Sequence, residues 1–427
     1  MKDKLVRTVR KVVPKQGVRL LEETYRRGRG YAVAAQYGFP SRGLRVIAIT
    51  GTNGKTTTAS YINEILRTAG LKTAMFSTAV IEVDGQRKVN DLNATVALTA
   101  QMQSFFRDAK RAGVDFVILE ITSHALHQHK LDTVKVECAI MTNLTQDHLD
   151  YHGTMENYAA AKAKLFKGQP RYIVLNHDDE WFDYYNQFDA AEQKMTYGTH
   201  EAAETRIAKA KLHKEGSDVL LEIDHQTKLD IFTSLAGKFN VYNAAAAVTA
   251  AYLLQVNLDH IQQGVKSLKA VPGRLEKVET GKLFDVIVDY AHTPDALEKL
   301  LETLKQMTKG RVILVFGACG DRDQSKRPIM GEIAAKGADR IIVTDEESYG
   351  EDPNKIRAMI MEGIKQGRGE GKTEEIADRR AAITKALRIA RPDDMVVITG
   401  LGHEQYRIEN GTKVPWNDAA VVKEILS

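Results

Sequence analysis

The stretch Gly51-Thr52-Asn53-Gly54-Lys55-Thr56-Thr57 has the residue types of a phosphate site: glycines, a lysine and a run of hydroxyls between an apolar segment and a helical one. Backbone amides at a helix N-terminus suit polyphosphate. Lys55 would neutralise β- and γ-phosphates, and Thr56 would offer its hydroxyl to magnesium. The usual loop sets its first glycine five places before the Gly-Lys pair. Here that place is Ile49, so the loop is a short one that opens at Gly51. Glu120 closes the apolar run DFVILE, and a carboxylate at a strand's carboxyl end is well placed for Mg²⁺. The plain alternative is a surface glutamate. In the segment QDHLDYHGTMENYAAAKAKLF, Asp147, His148, Asp150 and His152 have zinc-ligand types, but no cysteine joins them, and a phosphate loop goes with magnesium and oxygen donors. Met155, Tyr158, Lys162 and Leu165 fall on one helix face, so Lys162 points with the apolar residues and Lys164 does not. A buried ammonium beside Mg²⁺ is strongly disfavoured. Periodicity leaves two readings, a snorkelling lysine or a lysine of altered charge such as an anionic carbamate.

These residues need a scaffold. Short β-branched runs alternate with longer helical patterns, which predicts an α/β fold with mostly parallel sheets covered by helices. RVIAIT, KTAMFST, DFVILE, ECAIMTN and RYIVLN each end in polar residues, the place where open α/β sheets bind ligands. The polar stretch from His200 to Leu235 reads as an antiparallel insertion, and NVYNAAAAVTAAYLLQV as a buried helix. VPGRLEKVETG marks a boundary. Beyond it DVIVDYAH, RVILVFGACGDRD, RIIVTDEES and MVVITGLGH begin a second, smaller series, a doubly wound Rossmann-like domain. The expected organisation is a leader (1–44), a P-loop central domain (45–272) and a C-terminal domain (273–427).

Of 427 residues 43% are hydrophobic and 27% charged, as in ordinary soluble proteins, and no apolar run approaches the ~20 residues of a membrane helix. Two cysteines exclude a disulfide framework, so a reducing cytoplasm is the expected compartment. Residues 1–44 hold 11 Lys/Arg against three acidic residues, a net +8 in a chain of net +4. Such a leader reads as a solvated helical arm packed on the first domain, with weak contact to an anionic membrane surface and none to nucleic acid. Past the boundary, Arg274 is positioned to reach back to phosphate, Asp289 to accept from ribose hydroxyls, and Arg322, Lys326 and Arg327 to bind a carboxylate or phosphate. For each of these the alternative is a loop charge in solvent.

Together, GTNGKTTT, LEITSHAL, TNLTQDHLDYHGTMENYAAAKAKLF, GKFNVYNAAAA, VPGRLE, VDYAHTPDAL, FGACGDRDQSKRP and GLGHEQY resemble the motifs of the Mur ligases from about Arg45 onward, most closely the branch that adds the third residue of the peptidoglycan stem peptide. The resemblance implies an ATP- and Mg²⁺-dependent amide ligase acting on small-molecule substrates, expected as a monomer. Its acceptor carboxylate becomes an acyl phosphate that an amino acid's amine displaces. It further implies Lys55 and Thr56 at the γ-phosphate and first Mg²⁺ with Glu120, and His148 and a carbamylated Lys162 at a second metal. Asn240 and Asn243 would lie near adenine, Asp289 at ribose, and Arg274 and Lys326 at phosphate. Asn93, Thr95 and Ser123 would face the acceptor, Arg322 the amino acid's carboxylate, and Gly400 and Glu404 its side chain.

Two departures stand out. About 44 residues precede the first strand, too few for the UDP-binding domain of a full-length Mur ligase, so a folate- or poly-glutamate-type acceptor is an alternative, and a non-catalytic nucleotide-binding subunit a further one. Where diaminopimelate-adding members carry Asp-Asn-Pro-Arg, this chain reads Glu346-Glu347-Ser348-Tyr349, and an acidic pocket there favours an amine-tipped side chain. Likewise the acceptor-side Asn-Thr-Thr-Pro is Asn93-Ala94-Thr95-Val96.

Overall fold

The structure, a computed structural model, describes residues 15–90, 99–409 and 412–427. Its larger sheet is built from β1 (Arg45–Thr50), β2 (Thr73–Phe76), β3 (Val80–Val83), β4 (Gln86–Val89), β5 (Phe116–Glu120) and β6 (Val136–Met141). It continues through β7 (Tyr172–Asn176), β8 (Gln193–Gly198), β9 (Thr205–His213), β10 (Gly216–Ile223) and β11 (Thr227–Thr233). The spatial order is β11-β10-β9-β8-β7-β6-β1-β5-β2-β3-β4. Pairing is parallel from β9 across to β2 and antiparallel in the outer hairpins. The antiparallel stretch expected after His200 is therefore a meander that extends the main sheet through the parallel β8–β9 pair.

β1 is apolar throughout because both of its faces are covered. Ile47 and Ile49 pack with helices Lys55–Thr68 and Lys238–Leu253, while Val46 and Ala48 pack with Thr99–Ala112 and Met155–Ala163. Ala244 to Ala247 are wholly buried, so the Ala-rich helix lies close against the sheet. The leader helix, Lys15–Gln36, rests on the central unit, with Arg27 paired to Asp132 at 2.8 Å and Ala34 buried.

The C-terminal sheet comprises β12 (Glu276–Lys277), β13 (Asp285–Asp289), β14 (Val312–Phe316), β15 (Arg340–Val343), β16 (Thr373–Glu375) and β17 (Met395–Thr399), in the order β12-β13-β17-β14-β15-β16. Helices Pro294–Met307, Lys326–Gly337 and Pro353–Gln366 cover one face, and Arg379–Ile389 and Asp418–Leu426 the other, the doubly wound arrangement expected. A separate hairpin, β18 (Tyr406–Glu409) with β19 (Thr412–Pro415), follows β17. Among the described residues no helix is long and apolar enough to cross a membrane.

Candidate active site

β1 sits between β5 and β6, where the order of the sheet reverses, and the loop Gly51–Thr57 leaves its carboxyl end there. Gly54 caps the following helix in the left-handed region (φ 85°), and a Cβ on it would stand 2.2 Å from Asn243 Oδ1. Glycine is required on both counts. No side chain caps this helix, so its first amides point at the loop. Lys55 Nζ donates to the Thr52 carbonyl at 2.7 Å. Burial lowers its pKa, and Arg274 adds to the effect.

Thr56 Oγ1 donates to Glu120 Oε2 at 2.8 Å, and Glu120 also accepts from the Thr78 amide and hydroxyl at 2.8 Å each. A hydroxyl and a buried carboxylate side by side under a phosphate loop match Mg²⁺, which takes few protein oxygens and completes its shell with phosphate and water. Among the described residues no group of three His, Cys, Asp or Glu side chains is arranged to hold a metal by itself. The histidines that recommended zinc are instead packed ring to ring: His124 lies 4.7 Å from His148, 4.1 Å from Tyr151 and 5.5 Å from His152.

His148 is held at φ 54°, its Nε2 3.4 Å from Asp147 Oδ2. Burial lowers its pKa to about 3, so its imidazole is neutral. Lys162 is buried as its helical spacing requires, and its Nζ donates to the Gly51 carbonyl at 2.7 Å. Burial, with Lys55 adding repulsion, pushes its pKa well below the ordinary value. Lys164, off that face, meets His129 Nε2 at 3.3 Å. His148 and Lys162 flank the same ring, Tyr158, at 6.2 and 4.6 Å.

The C-terminal unit closes on this centre. Arg274 Nη2 donates to Thr56 Oγ1 at 3.3 Å, its guanidinium lying over Tyr290. Asn53 Nδ2 donates to Asp295 Oδ2 at 2.8 Å, and Lys326 Nζ reaches Asp147 Oδ1 at 3.3 Å. Burial opposes both charges of that last pair, yet their attraction raises the Lys326 pKa and lowers that of Asp147. A cavity of about 850 Å³ lies between the two units, lined by Asn53, Thr57, Asn243, Arg274 and Asp289 among others.

Asn240 stands behind Asn243, accepting its Nδ2 at 3.1 Å. Asp289 accepts from the amides of Leu275 and Ala291, both at 2.7 Å, and so braces the crossing between the units. Thr52 is anchored to Thr145. Ser123 is buried, its Oγ 2.9 Å from His152 Nε2. Arg322 is exposed over the Tyr349 ring at 5.0 Å, while Gly400 and Glu404 lie in the buried turn after β17. Asn93 and Thr95 lie outside the described residues. Sequence reasoning misses Asn143, whose Oδ1 accepts the Asn53 amide at 2.9 Å, and Asp295; each follows a strand end by a short polar loop, the signal that finds the others.

The fold and this centre define a two-unit nucleotide enzyme whose phosphate loop is completed by a cationic clamp from the second unit. Residues 49–251 match the Mur ligase middle domain, and residues 273–402 the Mur ligase, glutamate ligase domain. A Syntrophomonas wolfei protein named UDP-N-acetylmuramoyl-L-alanyl-D-glutamate--2,6-diaminopimelate ligase is 40% identical over 398 residues, covering 92% of this chain and 80% of its own. A solved structure of the same name is 35% identical with TM-score 0.62 over 90% of this chain and 78% of its own. Mycobacterium tuberculosis folylpolyglutamate synthase, solved with ADP, shares the fold at 20% identity and TM-score 0.70 over 87% of this chain and 91% of its own. The chain belongs to the Mur ligase family of ATP-dependent ligases.

Proposed function

We propose that this chain is an ATP-dependent amide ligase that joins an amino acid, as third residue, to the glutamate carboxylate of UDP-N-acetylmuramoyl-L-alanyl-D-glutamate in peptidoglycan synthesis. The observation that carries the ligase chemistry is the convergence on Thr56 of Glu120 from one unit and Arg274 from the other. The acceptor is argued from the names of relatives that align with nine-tenths of the chain. The folylpolyglutamate synthase neighbour supports the fold alone.

The acceptor carboxylate attacks the γ-phosphorus, ADP leaves, and the resulting acyl phosphate is attacked by the amine, releasing phosphate and leaving an amide. Lys55, Arg274, Lys326 and the helix amides hold the phosphoryl oxygens, so charge developing during transfer meets fixed cations in a buried site. Thr56 and Glu120 would hold Mg²⁺, which when bound neutralises the β/γ-phosphates. Asn243 and Asp289 line the cavity and would face the nucleotide. The Asn53–Asp295 and Arg274–Thr56 contacts join the two units around the reacting atoms, excluding the water that would hydrolyse an acyl phosphate.

The carbamate on Lys162 belongs to this reading. Burial beside Lys55 favours the neutral amine, the form that adds CO₂, and an anionic carbamate relieves the repulsion between the two lysines. With His148 it would supply the donors of a second Mg²⁺. The reading is tested by assaying phosphate release from ATP with Mg²⁺, bicarbonate, acceptor and each candidate amine, with the product identified by mass. Release that requires both acceptor and amine supports it; no amide with any amine sinks it.

A further inference from the structure

β13 and β14 turn their carboxyl ends to the clamp, through Asp289 and the loop that leads to Lys326. The opposite, amino edge of the same sheet carries a second recess. Its volume is about 400 Å³, and it is lined by Arg311, Arg340, Arg388 and Arg391, with Glu374 among them and Ile389 on its floor. Arg311 directly precedes β14 and Arg340 opens β15, a parallel neighbour, so both stand at that amino edge. β14 is five residues long, and the ~16 Å length of such a strand separates the recess from the clamp. The recess is not part of the centre described above.

Arg388 lies in the last turn of the helix Arg379–Ile389, and Arg391 in the loop beyond it. Among the described residues the side chains of Arg340, Arg388 and Arg391 make no hydrogen bond and no ion pair. Every other arginine of the helices that cover this sheet has a carboxylate partner: Arg327 is bidentate to Glu351, Arg357 meets Asp345 and Glu375, Arg379 is bidentate to Asp418, and Arg380 is on Glu424. Arg311 is paired with Asp394, and its Nη2 also donates to the Ile389 carbonyl at 2.8 Å. That second contact covers the helix C-terminus, whose partial negative charge would otherwise oppose an anion. Glu374, the carboxylate in the lining, is paired with Lys385 at 2.9 Å. Three guanidinium charges are thus left around one recess without a counter-ion. Lys372 registers the same positive field: its pKa is lowered first by burial, with Lys305 and Arg340 adding to the effect and Asp339 opposing it.

We infer that this recess is a second anion site, one that takes a small molecule bearing a diphosphate group, held by Arg340, Arg388 and Arg391. The inference goes beyond the ligase reading and does not rest on it. A guanidinium presents paired N–H donors that match the oxygens of a phosphoryl group. A terminal diphosphate carries about three negative charges near neutrality and so balances the three unpaired cations. A volume of this size is that of a small-ligand site rather than of a flat surface. Among the described residues its lining holds no aromatic ring to stack on a base, so the recess reads phosphoryl groups and not a nucleoside.

The probe is inorganic pyrophosphate without Mg²⁺, in equilibrium dialysis at about 0.15 M salt, where exposed charges more than ~8 Å apart are largely screened. The expected result is a saturable site with Kd below about 1 mM that persists in Lys55→Gln, a change that takes the cation from the phosphate loop. Arg388→Gln is expected to weaken that site about tenfold or more. Arg380→Gln removes the same charge from the same helix but away from the recess, and is expected to leave the site unchanged. Arg340→Gln serves if Arg388→Gln fails to fold. Inorganic phosphate is expected to bind about tenfold more weakly than pyrophosphate, since it engages fewer of the three guanidiniums. No saturable binding below about 1 mM, loss of the site in Lys55→Gln, equal weakening in Arg380→Gln, or equal affinity for phosphate overturns the inference. So does tighter binding of a single-stranded DNA oligonucleotide to the same arginines, which would make this face a nucleic-acid surface. Each of these results leaves the ligase reading standing.

Discussion

Glu404, in the turn after β17, is 5% exposed and its carboxylate makes no hydrogen bond or ion pair among the described residues, so replacing it by glutamine isolates the cost of burying a carboxylate there. Burial, then the neighbouring Glu347, raises its pKa from 4.5 to about 7. The folded chain holds this proton across a pH range in which the unfolded chain has lost it. Its contribution to stability is therefore fully present below pH 4.5 and is lost as pH rises through about 7. A rise of this size corresponds to about 3 kcal/mol. Glutamine keeps the shape and cannot ionise. At pH 4.5 wild type and Glu404→Gln should differ little in urea unfolding, whereas at pH 8 the variant should be the more stable by about 3 kcal/mol. The difference between the two proteins cancels the titration of every group that Glu404 does not touch. A gap that is flat with pH, or one that opens as pH falls, would refute the assignment of Glu404 as a buried, unpartnered carboxylate.

Three further outcomes follow from the same geometry. Gly54→Ala forces a side chain into the left-handed region and against Asn243, which should cost about 2 kcal/mol in urea unfolding and lower ADP affinity by calorimetry; unchanged values in both would contradict the loop geometry. Lys162→Arg should fold, lose the carbamate carbon resonance that ¹³C-bicarbonate gives wild type, and lower kcat by about 10²-fold; a wild type with no such resonance would remove the carbamate. Asp295→Ala cuts the Asn53 link between the units, a loss of about 1 kcal/mol that should weaken ADP binding about fivefold with little change in thermal midpoint; equal affinity would show the link to be idle.

The parts of the fold that bury both faces of a strand are the parts legible from sequence. RVIAIT, DFVILE, RVILVF and MVVITG are continuous apolar runs and become β1, β5, β14 and β17. β4 is QRKV, exposed at all four positions, and carries no apolar pattern to find. Lys162 is legible from its 3–4 spacing with Tyr158, because one helix places both. Asp147 as the meeting point of Lys326 and His148 is not, since Lys326 comes from 179 residues further on and only the closure of the two units brings it in. The acidic cluster is half legible. Glu346 and Glu347 stand together in sequence, but their neighbour Glu404 joins them because the sheet order sets β17 beside β14, which no local pattern encodes.

The most direct test of the central claim follows an oxygen atom. With ¹⁸O in the acceptor's glutamate carboxylate, attack on the γ-phosphorus and displacement by the amine carry one labelled oxygen into the released phosphate. One ¹⁸O per phosphate, formed in step with the amide, is the predicted result. Phosphate without label, released at the same rate, would mean that water and not the carboxylate takes the phosphoryl group, and would contradict the account.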